Sequence, residues 1–242
     1  MVSIYLKDGS VRSYEQLATG LEIAVSISNS LAKDAVAIRV DDVLKDLTQL
    51  VPDGSTIEII TKKDPAALEI LRHDAAHVMA EAVQELYSGT QVTIGPAIEN
   101  GFYYDFHRII PFTPDDLLKI EAKMHEIVKR DEKIERIEMP RDEAIDFFTK
   151  KGELFKAEII QDIPAGQIIS LYRQGEFIDL CRGPHLPSTS RLGKAFKLMS
   201  VAGAYWRGDH TRPQLQRIYG TAWATTEELE MHLFRLSEAE KR

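Results

Sequence analysis

Two short strings hold the side chains that could do chemistry. His73-Asp74-Ala75-Ala76-His77 sets two imidazoles four residues apart, which is one face of a helix. Asp179-Leu180-Cys181-Arg182-Gly183-Pro184-His185 puts the only cysteine four residues before a third histidine, in a Gly-Pro turn. Imidazoles and a thiol suit either of two tasks. As ligands, His73, His77, Cys181 and His185 would make a tetrahedral zinc site, because zinc favours nitrogen and sulfur donors. As proton carriers they would line a metal-free site in which a histidine, with an ordinary pKa of about 6.5, activates water. Spacing does not separate these two. A third chemistry, acyl transfer to Cys181 as nucleophile, ranks below them because nothing around Cys181 signals an oxyanion hole.

Other chemistries lack their signatures. The chain has no G-x-x-x-x-G-K-[ST] phosphate loop and no H-E-x-x-H zinc helix. His73-Asp74 imitates the HD pair of metal-dependent phosphohydrolases, but the further ligands that flank such a pair are missing. A composition of 44% hydrophobic and 28% charged residues is that of an ordinary globular protein. No apolar run approaches the roughly 20 residues of a membrane span. Met1-Val2-Ser3-Ile4-Tyr5-Leu6-Lys7 lacks the basic and apolar regions of a signal peptide. A single cysteine precludes an internal disulfide, so a reducing, cytoplasmic location is expected. The net charge of −8 argues against a surface that grips nucleic acid everywhere. From Arg182 to Arg217, however, seven basic residues face one acid, Asp209, a local balance of +6. That stretch is either a solvated face or a patch for a phosphate backbone.

The elements that must position these residues follow from pattern. Residues 1–62 read as a small independent unit: a hairpin about Asp8-Gly9, a helix from Glu22 to Lys33 with Ile23, Ala24, Ile27 and Leu31 on one stripe, and strands at 36–40 and 56–61. This order is that of a β-grasp fold and resembles the TGS domain, a ubiquitin-like module. Asp64-Pro65 starts a helix that carries both motif histidines and stops before Gly89, its apolar stripe running from Leu68 to Leu86. Small side chains at Ala76 and Ala80 leave room for a ligand beside those histidines. Two strands flank Asn100-Gly101, and Thr113-Pro114-Asp115-Asp116 opens a helix to about Arg130. A shorter helix follows Pro140 and ends at Gly152; from Ile168 to Tyr219 strands and turns predominate. Thr226 to Arg242 reads as an exposed connecting helix with Leu229, Leu233 and Leu236 on one side. The fold class expected is α+β: a β-grasp domain over 1–62, a larger α+β domain over 63–224 and a linker helix over 225–242.

Longer strings narrow the function. Arg72-His73 with His77, Ile94-Gly95-Pro96, Asn100-Gly101-Phe102-Tyr103-Tyr104-Asp105, the Asp179-to-His185 string, Ala202-Gly203-Ala204-Tyr205-Trp206-Arg207-Gly208-Asp209 and Gln216-Arg217-Ile218-Tyr219-Gly220-Thr221-Ala222 together resemble the N-terminal region of bacterial threonyl-tRNA synthetases over essentially the whole chain. Alanyl-type editing domains share the two histidine motifs but not these strings. The resemblance implies post-transfer editing: hydrolysis of the ester in mischarged Ser-tRNA(Thr), with threonine excluded by size. One missing methyl is worth only about 1–3 kcal/mol of discrimination, and aminoacyl-tRNA synthetases as a class are the standing example of enzymes that add a second, hydrolytic site to make up the difference.

Carried over by position, the resemblance implies catalytic roles for His73, His77, His185 and Lys156, and substrate binding by Asp179, Cys181, Tyr104 and Arg182. His73 or His185 would activate water, with His77 in support. Lys156 would hold the ribose or the developing negative charge, Asp179 the substrate ammonium, and Cys181 the wall against threonine. The site is expected to work without metal, and no cofactor is expected in this part of the protein. ATP, magnesium and zinc belong to a class II core that is expected to lie outside the chain, as are the contacts of a homodimer. The partner implied is the acceptor end of tRNA(Thr) carrying serine, placed along Arg182–Arg217, with no membrane involved. A zinc-dependent alanyl-type deacylase and a non-catalytic tRNA-binding piece are the alternatives.

Overall fold

The hairpin about Asp8-Gly9 forms as β1 (Val2–Leu6) and β2 (Val11–Tyr14) in the computed structural model, which describes residues 1–242. Gly9 adopts a φ of 87°, which its missing Cβ allows at little cost. The helix expected over 22–33 is two helices, α1 (Gly20–Ile27) and α2 (Asn29–Asp34). Ser28 breaks it. It lies in an extended conformation, its N–H closes α1 on the Ala24 carbonyl, and its hydroxyl oxygen accepts the Leu31 N–H that opens α2. Serine competes with helical bonding in this way wherever it can cap instead. The predicted stripe survives the break: Ile23 and Ala24 are buried, and Ile27 and Leu31 pack against the same core.

Three strands complete this unit: β3 (Ala35–Val40), β4 (Val43–Lys45) and β5 (Thr56–Thr61). β4 carries no sequence signal of its own. It is made by a two-residue turn in which Asp41 and Asp42 both take positive φ, at 48° and 68°, a geometry usually supplied by Asn-Gly. The sheet runs β2-β1-β5-β3-β4, with β1 and β5 parallel and the other pairs antiparallel. Ile4, Ile23, Ile38, Leu47 and Ile57 fill the space between this sheet and its helices, the β-grasp arrangement expected.

By compactness the chain forms two units, Met1–Leu71 with Gly183–Pro187, and Arg72–Arg182 with Ser188–Arg242. The helix α3 (Ala66–Leu86) runs through the boundary at residue 72. Asp64 caps it by accepting the Ala66 N–H, and Gly89, at a φ of 84°, follows its end. The apolar stripe read from sequence is too narrow: every residue from Ile70 to Val83 is buried except His73, which is half-buried. A helix enclosed on most of its circumference needs small side chains for close approach, and Ala75, Ala76, Ala80 and Ala82 supply them.

The second unit continues with β6 (Gln91–Val92), β7 (Ala97–Ile98), β8 (Gly101–His107), α4 (Pro114–Arg130), β9 (Ile134–Pro140), α5 (Arg141–Lys150), α6 (Leu154–Gln161), β10 (Ile168–Gln174), β11 (Phe177–Leu180), β12 (Phe196–Tyr205), β13 (Gln214–Ala222) and α7 (Thr226–Glu240). The Thr113 signal is a full capping box with Asp116, and Asn100 makes the β7–β8 turn at a φ of 62°. Sequence patterning missed helix α6 and the strands β6 and β9. One sheet, β11-β10-β9, is backed by α5 and α6 through Ala144, Phe148, Ala157, Ile160 and Leu171. The other runs β12-β13-β8-β6, with β7 paired to β8. Helix α7 contains no buried residue, in keeping with the exposed helix read from sequence, and no helix is long and apolar enough to cross a membrane.

Candidate active site

Four elements of the second unit converge on a buried polar cluster. Helix α3 delivers His73 and His77, β11 delivers Asp179 with Cys181 just past its end, α6 delivers Lys156 in its first turn, and β8 delivers Tyr104. Asp179, only 1% exposed, is the hub. Its Oδ1 accepts from Lys156 Nζ at 2.6 Å and from the Leu180 N–H at 2.8 Å. Its Oδ2 accepts from the Tyr104 hydroxyl at 2.6 Å and lies 3.7 Å from His77 Nδ1. Lys156 Nζ donates in addition to the Thr93 carbonyl. A carboxylate and an ammonium this deeply buried persist only because each is paired and hydrogen-bonded.

Outward from Asp179 the cluster becomes a line. His77 stands edge-on between the rings of Tyr104 and Phe177. Its Nε2 is 3.1 Å from Nε2 of His73, and Cys181 Sγ is 3.5 Å from the same His73 nitrogen. His77 is buried, whereas His73 is reached by solvent. Burial, and then the charge of Asp179, push the Tyr104 phenol well above its ordinary pKa, so it donates and is not ionised.

Glu153 and Thr93 were not singled out from sequence. Glu153 immediately precedes α6; its Oε2 accepts the Val92 N–H at 3.0 Å and its Oε1 the Gln84 amide at 2.5 Å. Burial pushes its pKa up, against the lowering by these two donors. It ties the start of α6, and hence Lys156, to α3 and β6. Missing α6 meant missing Glu153. Gly95 packs flat on Tyr104, where a Cβ would run into the ring.

The predicted residues therefore divide. Within the second unit, His73, His77, Lys156, Asp179, Cys181 and Tyr104 are brought together. Lys156 spends two of its three N–H donors inside the protein, on Asp179 and the Thr93 carbonyl, and Asp179 also accepts from Tyr104. Arg182 has an exposed side chain, and its carbonyl accepts from Arg136 at 3.3 Å. His185 lies in the Gly183–Pro187 segment of the first unit, buried, with its backbone N–H donating to Asp46 Oδ1 at 2.7 Å.

Fold and cluster together define a class: a β-grasp module joined to an α+β unit that buries a histidine–carboxylate line. Residues 2–61 match the TGS domain family, and residues 169–219 match the family described as the threonyl and alanyl tRNA synthetase second additional domain. Over its whole length the chain is similar to proteins named threonine--tRNA ligase: 62% identical to that of Rhodospirillum rubrum over 242 residues, 63% to that of Paramagnetospirillum magneticum over 243, and 59% to that of Gluconacetobacter diazotrophicus over 242. The chain spans 38% of the length of each of these relatives.

Proposed function

We propose that the second unit hydrolyses the ester of mischarged Ser-tRNA(Thr), editing for a threonyl-tRNA synthetase of which this chain is the N-terminal part. The observation that carries the reading is the line Asp179–His77–His73, buried at the carboxylate and accessible at His73. The similarity to threonine--tRNA ligases and to their second additional domain supports the substrate. Functional division is placed near residue 62, with editing over 63–224 and a linker helix over 225–242, and the protein is assigned to the cytoplasm.

The charge of Asp179, 3.7 Å from His77 Nδ1, favours the His77 tautomer that carries its proton on Nδ1, which makes His77 Nε2 an acceptor. His73 then donates from Nε2, and its Nδ1 carries the lone pair that takes a proton from water as the water attacks the ester carbonyl. The resulting imidazolium is stabilised through His77 by the Asp179 charge. Cys181, against His73, contributes bulk where threonine's extra methyl would fall. His185, four residues further along the chain, remains a candidate for the same step by resemblance. Lys156 and Tyr104 act through Asp179.

A second reading has a specific observation behind it. The 3.1 Å and 3.5 Å separations of His73 Nε2 from His77 Nε2 and Cys181 Sγ also suit zinc, whose bonds to these donors are about 2.0–2.3 Å. Deacylation of Ser-tRNA(Thr) and Thr-tRNA(Thr), with and without chelator, decides between them. Chelator-insensitive loss of the seryl ester alone is expected, and His73→Ala should lower its rate at least about 100-fold, the low end for removing a general base, with an unchanged circular dichroism spectrum. Full activity in His73→Ala would sink the base assignment, and inhibition by chelator would make the cluster a zinc site.

A further inference from the structure

The stripe of α3 that carries His73 and His77 continues one turn further to Glu81, which is 3% exposed. Its Oε2 accepts from the Gln174 amide at 3.4 Å, at the end of β10. Its other oxygen, Oε1, lies beside Gly175 next to the carboxyl group of Glu132, which follows α4 and is fixed there by its backbone N–H to the Thr189 hydroxyl at 3.0 Å and by its carbonyl, which accepts the Thr189 N–H at 2.9 Å. The Oε1 atoms of both glutamates are buried with no donor from another residue. Both carboxyl groups sit over Gly175 in the β10–β11 turn: a Cβ there would overlap a Glu132 oxygen and stand 2.9 Å from Glu81 Oε1. Two ionised carboxylates in contact under such burial repel strongly, whereas one proton between them turns repulsion into a short, charge-assisted hydrogen bond.

We propose that Glu81 and Glu132 share one proton and act as a positioning pair that fixes α3, and with it His73 and His77, against the β10–β11 hairpin that leads to Asp179 and Cys181. The positioning role rests on the hydrolytic reading above; the shared proton does not. The charged groups around the pair assign the proton's place. Arg130, at the end of α4, lies 4.0 Å from Glu132 Oε2 and favours that carboxylate as the ionised partner. Glu85, one turn beyond Glu81 on α3, adds negative charge, held in turn by Arg130 at 2.5 Å and Lys123 at 3.9 Å. Gln174 and Thr189, from the hairpin and the turn after Ser188, are neutral. The proton therefore resides on Glu81. Burial first, then Glu132, raise its pKa from 4.5 to about 9.

The sign of the pH effect follows. The folded chain holds a proton that the unfolded chain releases above about pH 4.5, so this stabilisation is complete below that value. It is lost as pH rises towards about 9 and levels off beyond it. In that window the pair should raise the unfolding constant by up to about tenfold per pH unit. The experiment measures urea unfolding of the whole chain from pH 6 to 9, together with alkylation of Cys181 and hydrolysis of Ser-tRNA(Thr), for the wild type, Glu81→Gln and Glu81→Ala. Gln imitates the protonated acid and donates to Glu132. It should abolish the pair's share of the pH slope, melt above the wild type at pH 8.5, and keep hydrolysis. Ala should speed Cys181 alkylation at fixed pH and lower the hydrolytic rate, with the Gln variant restoring both.

An unchanged slope in Glu81→Gln would overturn the shared proton. Stabilisation of the wild type by added magnesium or calcium, absent in Glu81→Gln, would replace the proton with a cation. Undiminished hydrolysis in Glu81→Ala would overturn the positioning role. If the wild type itself hydrolyses nothing, the reading of the site fails, while the unfolding and alkylation data still judge the pair.

Discussion

At the scale of single residues, types and spacing announced the histidines and the cysteine but not their roles. His73 and His77 were legible because a helical i, i+4 pair must share a face, and the 3.1 Å contact of their nitrogens is that geometry realised. The bonding partners of Asp179 and Lys156 were not legible, because they are distant in sequence: Tyr104 donates to the carboxylate and the Thr93 carbonyl accepts from the ammonium. The buried pair leads to a prediction. Lys156→Met leaves the Asp179 carboxylate buried without its counter-charge. Breaking such a pair costs about 3–5 kcal/mol, which urea denaturation at pH 7 should report as a fall in midpoint at unchanged m-value. A shift below about 1 kcal/mol would mean that water or Tyr104 already compensates Asp179.

Elements with punctuated ends were read well, and those without were not. Thr113-Pro114-Asp115-Asp116 and Asp64-Pro65 supply caps, while Gly89 and Gly152 supply left-handed exits, so α3, α4 and α5 fall where expected. The break at Ser28, the strand β4 and the helix α6 escaped because each is short and set by local bonding rather than by periodicity, and β9 escaped because its residues do not alternate cleanly between buried and exposed. Closely packed elements are sensitive where a side chain is missing. Gly95 allows the segment before β7 to lie against the Tyr104 ring of β8. Gly95→Ala should displace Tyr104 from Asp179, destabilise the chain by about 1–3 kcal/mol, as overpacking does, and depress Ser-tRNA(Thr) hydrolysis. Thermal unfolding and single-turnover kinetics test this together; wild-type values in both would show that the loop absorbs the methyl group.

For the whole molecule, the sequence balance of +6 over Arg182–Arg217 overstates the basic surface. Arg207 pairs with Asp162 at 2.5 Å, Arg212 with Glu158 at 2.7 Å and Arg217 with Asp105 at 2.8 Å. Those acids lie elsewhere in the chain, where a local count does not see them. Arg182, Lys194 and Lys197 are the exposed cations of the stretch outside these three pairs. Lys194→Ala and Lys197→Ala should therefore each weaken tRNA binding and reduce the slope of log affinity against log salt by roughly 1, the loss of about one phosphate contact. Arg212→Ala should leave that slope unchanged. Filter binding over a salt series separates the outcomes, and equal effects from all three would return the arginine pairs to the interface.

The threading of the chain has a consequence for how such a gene can be divided. The polypeptide completes most of the β-grasp unit by residue 71, builds over a hundred residues of the second unit, and then spends Gly183–Pro187 back in the first before leaving it again. No single cut yields both units whole. A gene begun at codon 72 would encode His185 without the Asp46 carboxylate that receives its backbone N–H. The small unit is therefore not one uninterrupted stretch of polypeptide, and an excision that respects it must keep this five-residue return as well as the first 71 residues.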